Sequence, residues 1–249
     1  MNTDMESDRA QMARRAMSLI DLTDLADDSS ADAVKALCAE AMRHGVAAVC
    51  VWPDFVSTAA RELNGSGVLV ATVVNFPTGD ERPFAAAVLT ERAIADGANE
   101  IDVVLPWRSW MAGAIERAAR MLDTVRSAAP PPVTVKVIIE SGELASPDLI
   151  RDAARFAIAH GADFVKTSTG KTPVSATPEA VAAILDVVST VDRPVGVKAS
   201  GGIRTFDQAA AYLAQVDERM GARWATPATF RFGASGLLGV LVAETISPA

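Results

Sequence analysis

Histidine and cysteine each occur only twice in 249 residues, as His44, His160, Cys38 and Cys50, and tyrosine only once, as Tyr212. Two cysteines without a CxxC spacing cannot build a disulfide framework, and they favour a reducing compartment. Each histidine directly precedes a glycine at the end of a predicted helix, where a polar or cationic side chain suits the helix C-terminus. A His-rich zinc site and a His-based triad are therefore not expected. No apolar run approaches the roughly 18 residues that a membrane-spanning helix needs. The polar, acidic start Met1-Asn-Thr-Asp-Met-Glu has no basic stretch followed by an apolar one, so it does not read as a secretory signal. These absences lead to the expectation of a cytoplasmic protein without a membrane partner.

Positive charge is also in deficit. The formal net charge is −8, which lacks the basic footprint of a nucleic-acid binder. A small anionic ligand remains compatible with that charge, because backbone N–H groups at a helix N-terminus act locally. Among the 23 basic residues only five are lysine: Lys35, Lys136, Lys166, Lys171 and Lys198. Lys35 falls in a predicted helix, and the other four fall on predicted strands or directly after them. Arginine stays charged at any relevant pH, whereas lysine becomes a nucleophile once its pKa falls.

Half of the residues are hydrophobic but only 5% are aromatic, so the core is mostly aliphatic. Short β-branched runs alternate with Ala-rich helical stretches, as in a parallel sheet covered by helices. The pattern predicts strands over 19–23, 47–51, 69–74, 100–105, 133–139, 163–167, 195–198 and 229–232. It predicts helices over 32–44, 53–63, 83–96, 114–128, 147–160, 178–190 and 206–220, a short helix over 237–244 and an extra N-terminal helix over 7–18. Ser146-Pro147-Asp148 and Thr177-Pro178-Glu179 carry helix-entry chemistry, a cap residue before a first-turn proline and an acid. No linker divides the chain. Eight strand–helix units in about 250 residues point to an α/β fold, a single (β/α)8 TIM barrel over residues 1–249. The first strand is short and contains Asp21, so a seven-strand open sheet is the alternative.

Three helix-ending glycines set an internal echo: Gly45-Val-Ala-Ala-Val-Cys50, Gly97-Ala-Asn-Glu-Ile-Asp102 and Gly161-Ala-Asp-Phe-Val-Lys166. A glycine that stops a helix fixes the phase of the following strand. Equal offsets should bring Cys50, Asp102 and Lys166 to one height on one face, which in a barrel is the catalytic end if that face is inward. Lys166 and Lys198 end apolar runs on what should be neighbouring strands. Two ammonium groups held close repel, which lowers the pKa of at least one and frees an amine for Schiff-base chemistry. Each lysine could instead pair with a carboxylate. Asp102 shares a strand face with Glu100 and Val104, and it serves either as a proton shuttle or as an ion partner of a lysine. Ala199-Ser-Gly-Gly-Ile-Arg204 and Phe232-Gly-Ala-Ser-Gly-Leu237 follow strands seven and eight, where barrels build phosphate sites, although Gly-Gly is also plain turn chemistry. Thr169-Gly170-Lys171 offers a further contact. Cys50 reads as core or pocket lining. Asp21 either points inward or caps a turn. Lys136 and Glu140 share a strand face and either pair with each other or join the site.

Over nearly its whole length the chain resembles the deoxyribose-phosphate aldolases. The resemblance rests on Leu19-Ile-Asp-Leu-Thr23, Val74-Asn-Phe-Pro-Thr-Gly79, Glu100-Ile-Asp-Val-Val104, Lys136-Val-Ile-Ile-Glu-Ser-Gly-Glu-Leu144, Phe164-Val-Lys-Thr-Ser-Thr-Gly170, Val197-Lys-Ala-Ser-Gly-Gly-Ile-Arg-Thr205 and Arg231-Phe-Gly-Ala-Ser235, in this order. It implies a (β/α)8 class I aldolase that reversibly cleaves 2-deoxyribose 5-phosphate to acetaldehyde and glyceraldehyde 3-phosphate, with no metal or cofactor. It implies Lys166 as the Schiff-base residue, Lys198 as its perturbing neighbour, and Asp102 as a helper in proton transfer through water. The loops with Gly170, Gly201, Gly202, Ser235 and Gly236 would hold the phosphate, with Thr169, Lys171, Cys50 and Asp21 as further substrate-site candidates. The expected partners are a phosphorylated sugar and aldehydes, and a second copy of the chain, a homo-oligomer with the dimer as first expectation. The chain departs from relatives that end in a tyrosine-bearing tail, since it ends Glu244-Thr-Ile-Ser-Pro-Ala249, and from those with serine at Gly236. A Schiff-base barrel acting on another sugar phosphate, or a sugar-phosphate-binding regulator without turnover, are the rival readings.

Overall fold

The structure, a computed structural model, describes residues 2–144 and 146–245. The tail departure noted above falls on 246–249, which lie outside the described residues. Strands β1 (Ile20–Asp24), β2 (Ala48–Val51), β3 (Leu69–Val74), β4 (Glu100–Val104), β5 (Thr134–Ile138), β6 (Phe164–Lys166), β7 (Gly196–Ser200) and β8 (Phe230–Ala234) pair in sequence order, all parallel. β8 returns to β1, so the sheet is a closed barrel and the open-sheet alternative is excluded. The uncertain first strand is real. Asp21 pairs in register with both Ala48 and Gly233, and this double pairing closes the ring.

Helices alternate with the strands: α1 (Asn2–Met17), α2 (Ala31–His44), α3 (Val56–Glu62), α4 (Pro83–Ala95), α5 (Trp107–Met111), α6 (Ile115–Ala128), α7 (Ser141–Leu144), α8 (Pro147–Ala159), α9 (Pro178–Val188), α10 (Phe206–Met220) and α11 (Leu237–Thr245). The extra N-terminal helix packs on α10 and α11, with Arg15 forked onto Asp217 at 2.6 Å. Helix entry follows local chemistry. Ser30, Thr177 and Thr205 accept N–H bonds from the first turns of α2, α9 and α10. Ser146 stands at the cap position of α8 in an extended conformation but makes no capping bond. Gly45, Gly97 and Gly161 have φ of 62°, 107° and 85°, as the helix-ending positions require.

Several boundaries differ from expectation. The predicted helix 53–63 begins as a 3-10 turn at Pro53–Phe55. The short helices α5 and α7 have no counterpart among the predicted helices, because one turn carries too little periodicity to see. β7 and β8 run two residues past their expected ends, since Ala199 pairs with Phe232 and Ser200 with Gly233. Most strand residues are buried on both faces, Val, Ile and Ala outward under the helices. The inward face is different: across much of the barrel it is ionic.

Candidate active site

The inward positions carry Asp21 from β1, Glu100 and Asp102 from β4, Lys136 from β5, Lys166 from β6, Lys198 from β7 and Arg231 from β8. All are 3% exposed or less. Glu100 and Asp102 share the inward face because strand side chains alternate with period two. The register sets Asp102 beside Lys136, Lys166 beside Lys198, and Lys198 beside Arg231. The charged groups form one connected column. Asp102 accepts from three ammonium groups: Lys136 Nζ on Oδ1 at 2.9 Å, and Lys166 Nζ and Lys198 Nζ on Oδ2, each at 2.8 Å. Lys136 also donates to Glu100 Oε2 at 2.6 Å. Arg231 pairs with Asp21 and donates to Glu100 Oε1 at 3.0 Å. Asp21 pairs in turn with Lys198 and lies 3.6 Å from Lys136 Nζ.

The column holds four basic and three acidic side chains, so one cation is in surplus. Burial disfavours every charged form, and the pairings decide which groups keep their charge. For Lys198 and Lys136 the surrounding carboxylates outweigh burial and raise the pKa. Asp102 opposes burial with three lysines and is held well below the usual carboxylate range, and Asp21 is lowered as well. Lys166 alone among these lysines is lowered: burial acts first, Asp102 opposes it, and the Lys198 charge adds to it. Like-charge repulsion from Lys198 is thus present but is not the leading cause. The structure ranks burial above it.

Lys166 also differs in position. It lies on the floor of a cavity of about 600 Å³ at the C-terminal end of the barrel. Asp102, Lys198 and Asp21 lie beneath it and do not line the cavity. The walls are Thr23–Ala26 from the end of β1 onward, Thr169–Lys171 after β6, Ser200–Arg204 from the end of β7 onward and Gly233–Gly236 from the end of β8 onward. Gly170, Gly201 and Gly202 have φ between 76° and 83°. A Cβ on Gly201 would stand 2.6 Å from Ser175 Oγ, so the loop closes only with glycine there. Ser235 and Gly236 line the cavity and lead directly into α11.

Of the two alternatives for Lys136 and Glu140, the structure has each join the site separately. Lys136 and Glu140 do not pair. Lys136 is mid-strand and taken by Glu100 and Asp102, whereas Glu140 leaves β5 at φ 52° and turns to the next loop. Its carboxylate accepts from Thr169 N at 3.2 Å, Thr169 Oγ1 at 2.7 Å and Thr172 Oγ1 at 3.1 Å. Thr169 therefore lines the cavity with its donors already engaged. Lys171 spans the mouth: its Nζ donates to Leu25 O at 2.9 Å and sits 6.0 Å from the Trp52 ring. Cys50 is buried beside Leu25, Ala71 and Val73, its thiol pushed up by burial, close enough to Lys198, Asp102 and Lys166 to feel their charge. Asp21 points inward. The Ala199–Arg204 loop expected at the phosphate end does supply Ser200 and Arg204 as cavity walls, whereas the residues after Thr23, and Arg231 as a column member, had no counterpart in the sequence reading. Arg231 carried one legible signal: it alternates with Phe230 and Phe232 in a strand, and a buried guanidinium demands acids.

The family model described as DeoC/LacD family aldolase matches residues 15–240. A deoxyribose-phosphate aldolase of Agrobacterium fabrum strain C58 is 45% identical over 231 residues, 92% of this chain and 89% of that protein. Among solved structures, one from Toxoplasma gondii ME49 superposes with a TM-score of 0.87 at 27% identity over 96% of each chain. A tetrameric deoxyribose phosphate aldolase from Aeropyrum pernix superposes with a TM-score of 0.78 at 25% identity, covering 95% of this chain and 97% of that one.

Proposed function

Because the chain belongs to the DeoC/LacD family of aldolases, we infer that it is a deoxyribose-phosphate aldolase working through a lysine Schiff base. One observation carries the assignment of the nucleophile. Of the three lysines in the buried column, only Lys166 has a lowered pKa and only Lys166 reaches the cavity.

The neutral Lys166 amine attacks the C1 aldehyde of open-chain 2-deoxyribose 5-phosphate. Loss of water from the carbinolamine leaves an iminium, which withdraws electrons as a metal ion would. The C3 hydroxyl loses its proton, the C2–C3 bonding pair moves into an enamine, and C3 to C5 depart as glyceraldehyde 3-phosphate. Protonation of the enamine at C2 and addition of water release acetaldehyde and restore the amine. Asp102 Oδ2 receives hydrogen bonds from both Lys166 and Lys198, so it is suited to pass protons between the reacting atoms and the column through water. Lys198 stays charged and opposes a second charge at Lys166. The N–H groups around Gly170, Gly201, Gly202, Ser235 and Gly236 take the phosphate, with the guanidinium of Arg204 at the same wall.

Borohydride added with 2-deoxyribose 5-phosphate should fix mass on Lys166 alone. Lys166→Ala and Lys166→Arg should both lose turnover and labelling, since arginine keeps the charge but not the nucleophile. Activity near the unmodified level in either variant would sink the assignment. Among the described residues no helix is long and apolar enough to cross a membrane. The full reading is one catalytic barrel over residues 1–249 acting in the cytoplasm as a homo-oligomer, a dimer first, which light scattering would test.

A further inference from the structure

The mechanism uses Lys166, Asp102 and Lys198, but it leaves the lower half of the column unexplained. Arg231 and Glu100 sit at the opposite end of the barrel, beside a second cavity of about 480 Å³ lined by Pro131, Pro132, Pro194 and Pro227. They cannot touch a substrate bound over Lys166. Yet they are joined to it without a break: Arg231 to Asp21 and Glu100, Glu100 to Lys136, Asp21 to Lys198, and both lysines to Asp102, which holds Lys166. Among the described residues, β2 contributes only the Cys50 thiol to this inner group and β3 only the uncharged Ala71 and Val73.

Counting charge along this path gives a definite result. The three lysines alone would balance Asp21, Glu100 and Asp102, and all three could stay protonated. Arg231 is the fourth cation, and it cannot give up its proton. One lysine must therefore bear the excess, and Lys166 is the one with an open cavity above it and only one carboxylate beside it.

We propose that Arg231 is a positioning residue for the aldol reaction: by adding the fourth positive charge to a column of three carboxylates, it drives Lys166 to shed its proton, and Glu100 sets how strongly it does so. This rests on Lys166 being the Schiff-base amine. Arg231 acts through Asp21 and Lys198, and Glu100 acts through Lys136, so their effects on Lys166 have opposite sign. Removing the Arg231 charge returns the column to balance and stabilises protonated Lys166. Removing the Glu100 charge enlarges the surplus and stabilises the neutral amine.

The test is the pH dependence of kcat/KM for 2-deoxyribose 5-phosphate, alongside the pH dependence of cyanoborohydride trapping of acetaldehyde on Lys166. Arg231→Met should move the acid limb of both profiles to higher pH by about one unit, the size expected of one charge acting at an effective dielectric near 20. Glu100→Gln should move it to lower pH. Arg231→Lys should move the limb the same way but by less than Arg231→Met, because a lysine between Asp21 and Glu100 keeps a charge there yet can release it. The double variant Arg231→Met/Glu100→Gln, which restores the surplus of one, should bring the limb back towards the unmodified protein. A merely structural role predicts loss of stability and rate in all variants, worst in the double, with no ordered shift. If Arg231→Met does not fold, the direction of the Glu100→Gln shift decides the matter. Trapping on Lys166 in the unmodified protein, with limbs that do not move or that move the same way in both single variants, overturns this proposal alone. Absence of trapping in the unmodified protein overturns it together with the Schiff-base reading beneath it.

Discussion

Replacing Asp102 by asparagine tests the column as a physical object, apart from turnover. Three ammonium groups converge on this one carboxylate at 2.8–2.9 Å, all buried. Asparagine fills the same volume and keeps one acceptor oxygen, but it removes the charge and turns another acceptor into a donor facing a cation. Removing one member of a buried ion pair costs about 3–5 kcal/mol, because the partner is left charged and unpaired. Here the partners are three, but a lysine escapes by losing its proton, which keeps the cost in that range rather than at its triple. Against a typical stability of about 5–15 kcal/mol the variant should fold. Its melting temperature should fall by roughly 10 °C, given about 2–4 °C per kcal/mol for a chain of this size.

The dependence on pH distinguishes this cause from simple mispacking. In the unmodified protein Asp102 lies well below the usual carboxylate range, so its contribution is complete above about pH 4 and constant through neutrality. The raised Lys136 and Lys198 contribute fully below their unfolded value of about 10.4 and weaken only as pH climbs through the folded one. In Asp102→Asn the lysines lose the charge that held them protonated. Their folded values drop, and a lowered lysine costs stability below its unfolded value and nothing above it. The stability gap should therefore be widest near pH 7 and narrow steadily towards pH 10, as read by urea unfolding at a series of pH values. A gap under about 1 kcal/mol at pH 7, or one that widens with pH, would refute the account of a charge-balanced column.

Gly201→Ala would force a left-handed alanine against Ser175, at about 1–2 kcal/mol for the backbone alone. It should reduce the preference for 2-deoxyribose 5-phosphate over unphosphorylated 2-deoxyribose about tenfold in kcat/KM, equivalent to 1.4 kcal/mol; an unchanged ratio would remove this loop from phosphate binding. In Gly233→Ala the new methyl would collide with Ser200 Oγ and press on Lys198 Cε at 3.0 Å. Overpacking of that kind costs about 1–3 kcal/mol, and kcat should fall more than KM changes if Lys198 is displaced; a KM effect alone would contradict this. Cys38 and Cys50 are fully buried, with burial pushing the Cys38 thiol up to about 11 and Cys50 upward too. Neither should react with dithionitrobenzoate in the native protein at neutral pH, while both titrate in denaturant; fast native labelling of either would show an opening that the barrel does not display.

The upper half of the site was legible because it is written locally. A glycine ends a helix, five residues later an inward side chain arrives, and the offset repeats at Cys50, Asp102 and Lys166. Scarcity of lysine then singled out Lys166 and Lys198, and the glycine pairs after β7 and β8 marked the anion end. The lower half is written in pairings between distant strands. Arg231 meets Asp21 only because the last strand closes on the first, 210 residues away, and no window of sequence holds both. Which of its two alternatives Glu140 would take was hidden for a related reason. Strand alternation put it on the face of Lys136, but the chain leaves the strand at positive φ, and alternation ends where the backbone turns. Lys171 was marked as a further contact by its place beside Gly170, and it does line the cavity. Its reach across the mouth to Leu25 depends on how far apart closure sets β1 and β6, a distance that spacing along the chain does not encode.

A barrel interior filled with valine and isoleucine would be at least as stable as this one, since buried ion pairs rarely outperform well-packed apolar groups. An ionic interior that is kept despite that comparison calls for another reason, and the odd charge count supplies one. A balanced column would be inert, with every proton held in place. A surplus at the proline-lined end would have no lysine there to release it, because the cation is an arginine. With the surplus resolved at Lys166, the proton leaves beside the cavity where the aldehyde arrives, and the amine it leaves behind is the one poised to attack. The same reasoning accounts for the two ends of the column: the far end carries an arginine, which cannot release its proton, and the mouth carries Lys166, which can.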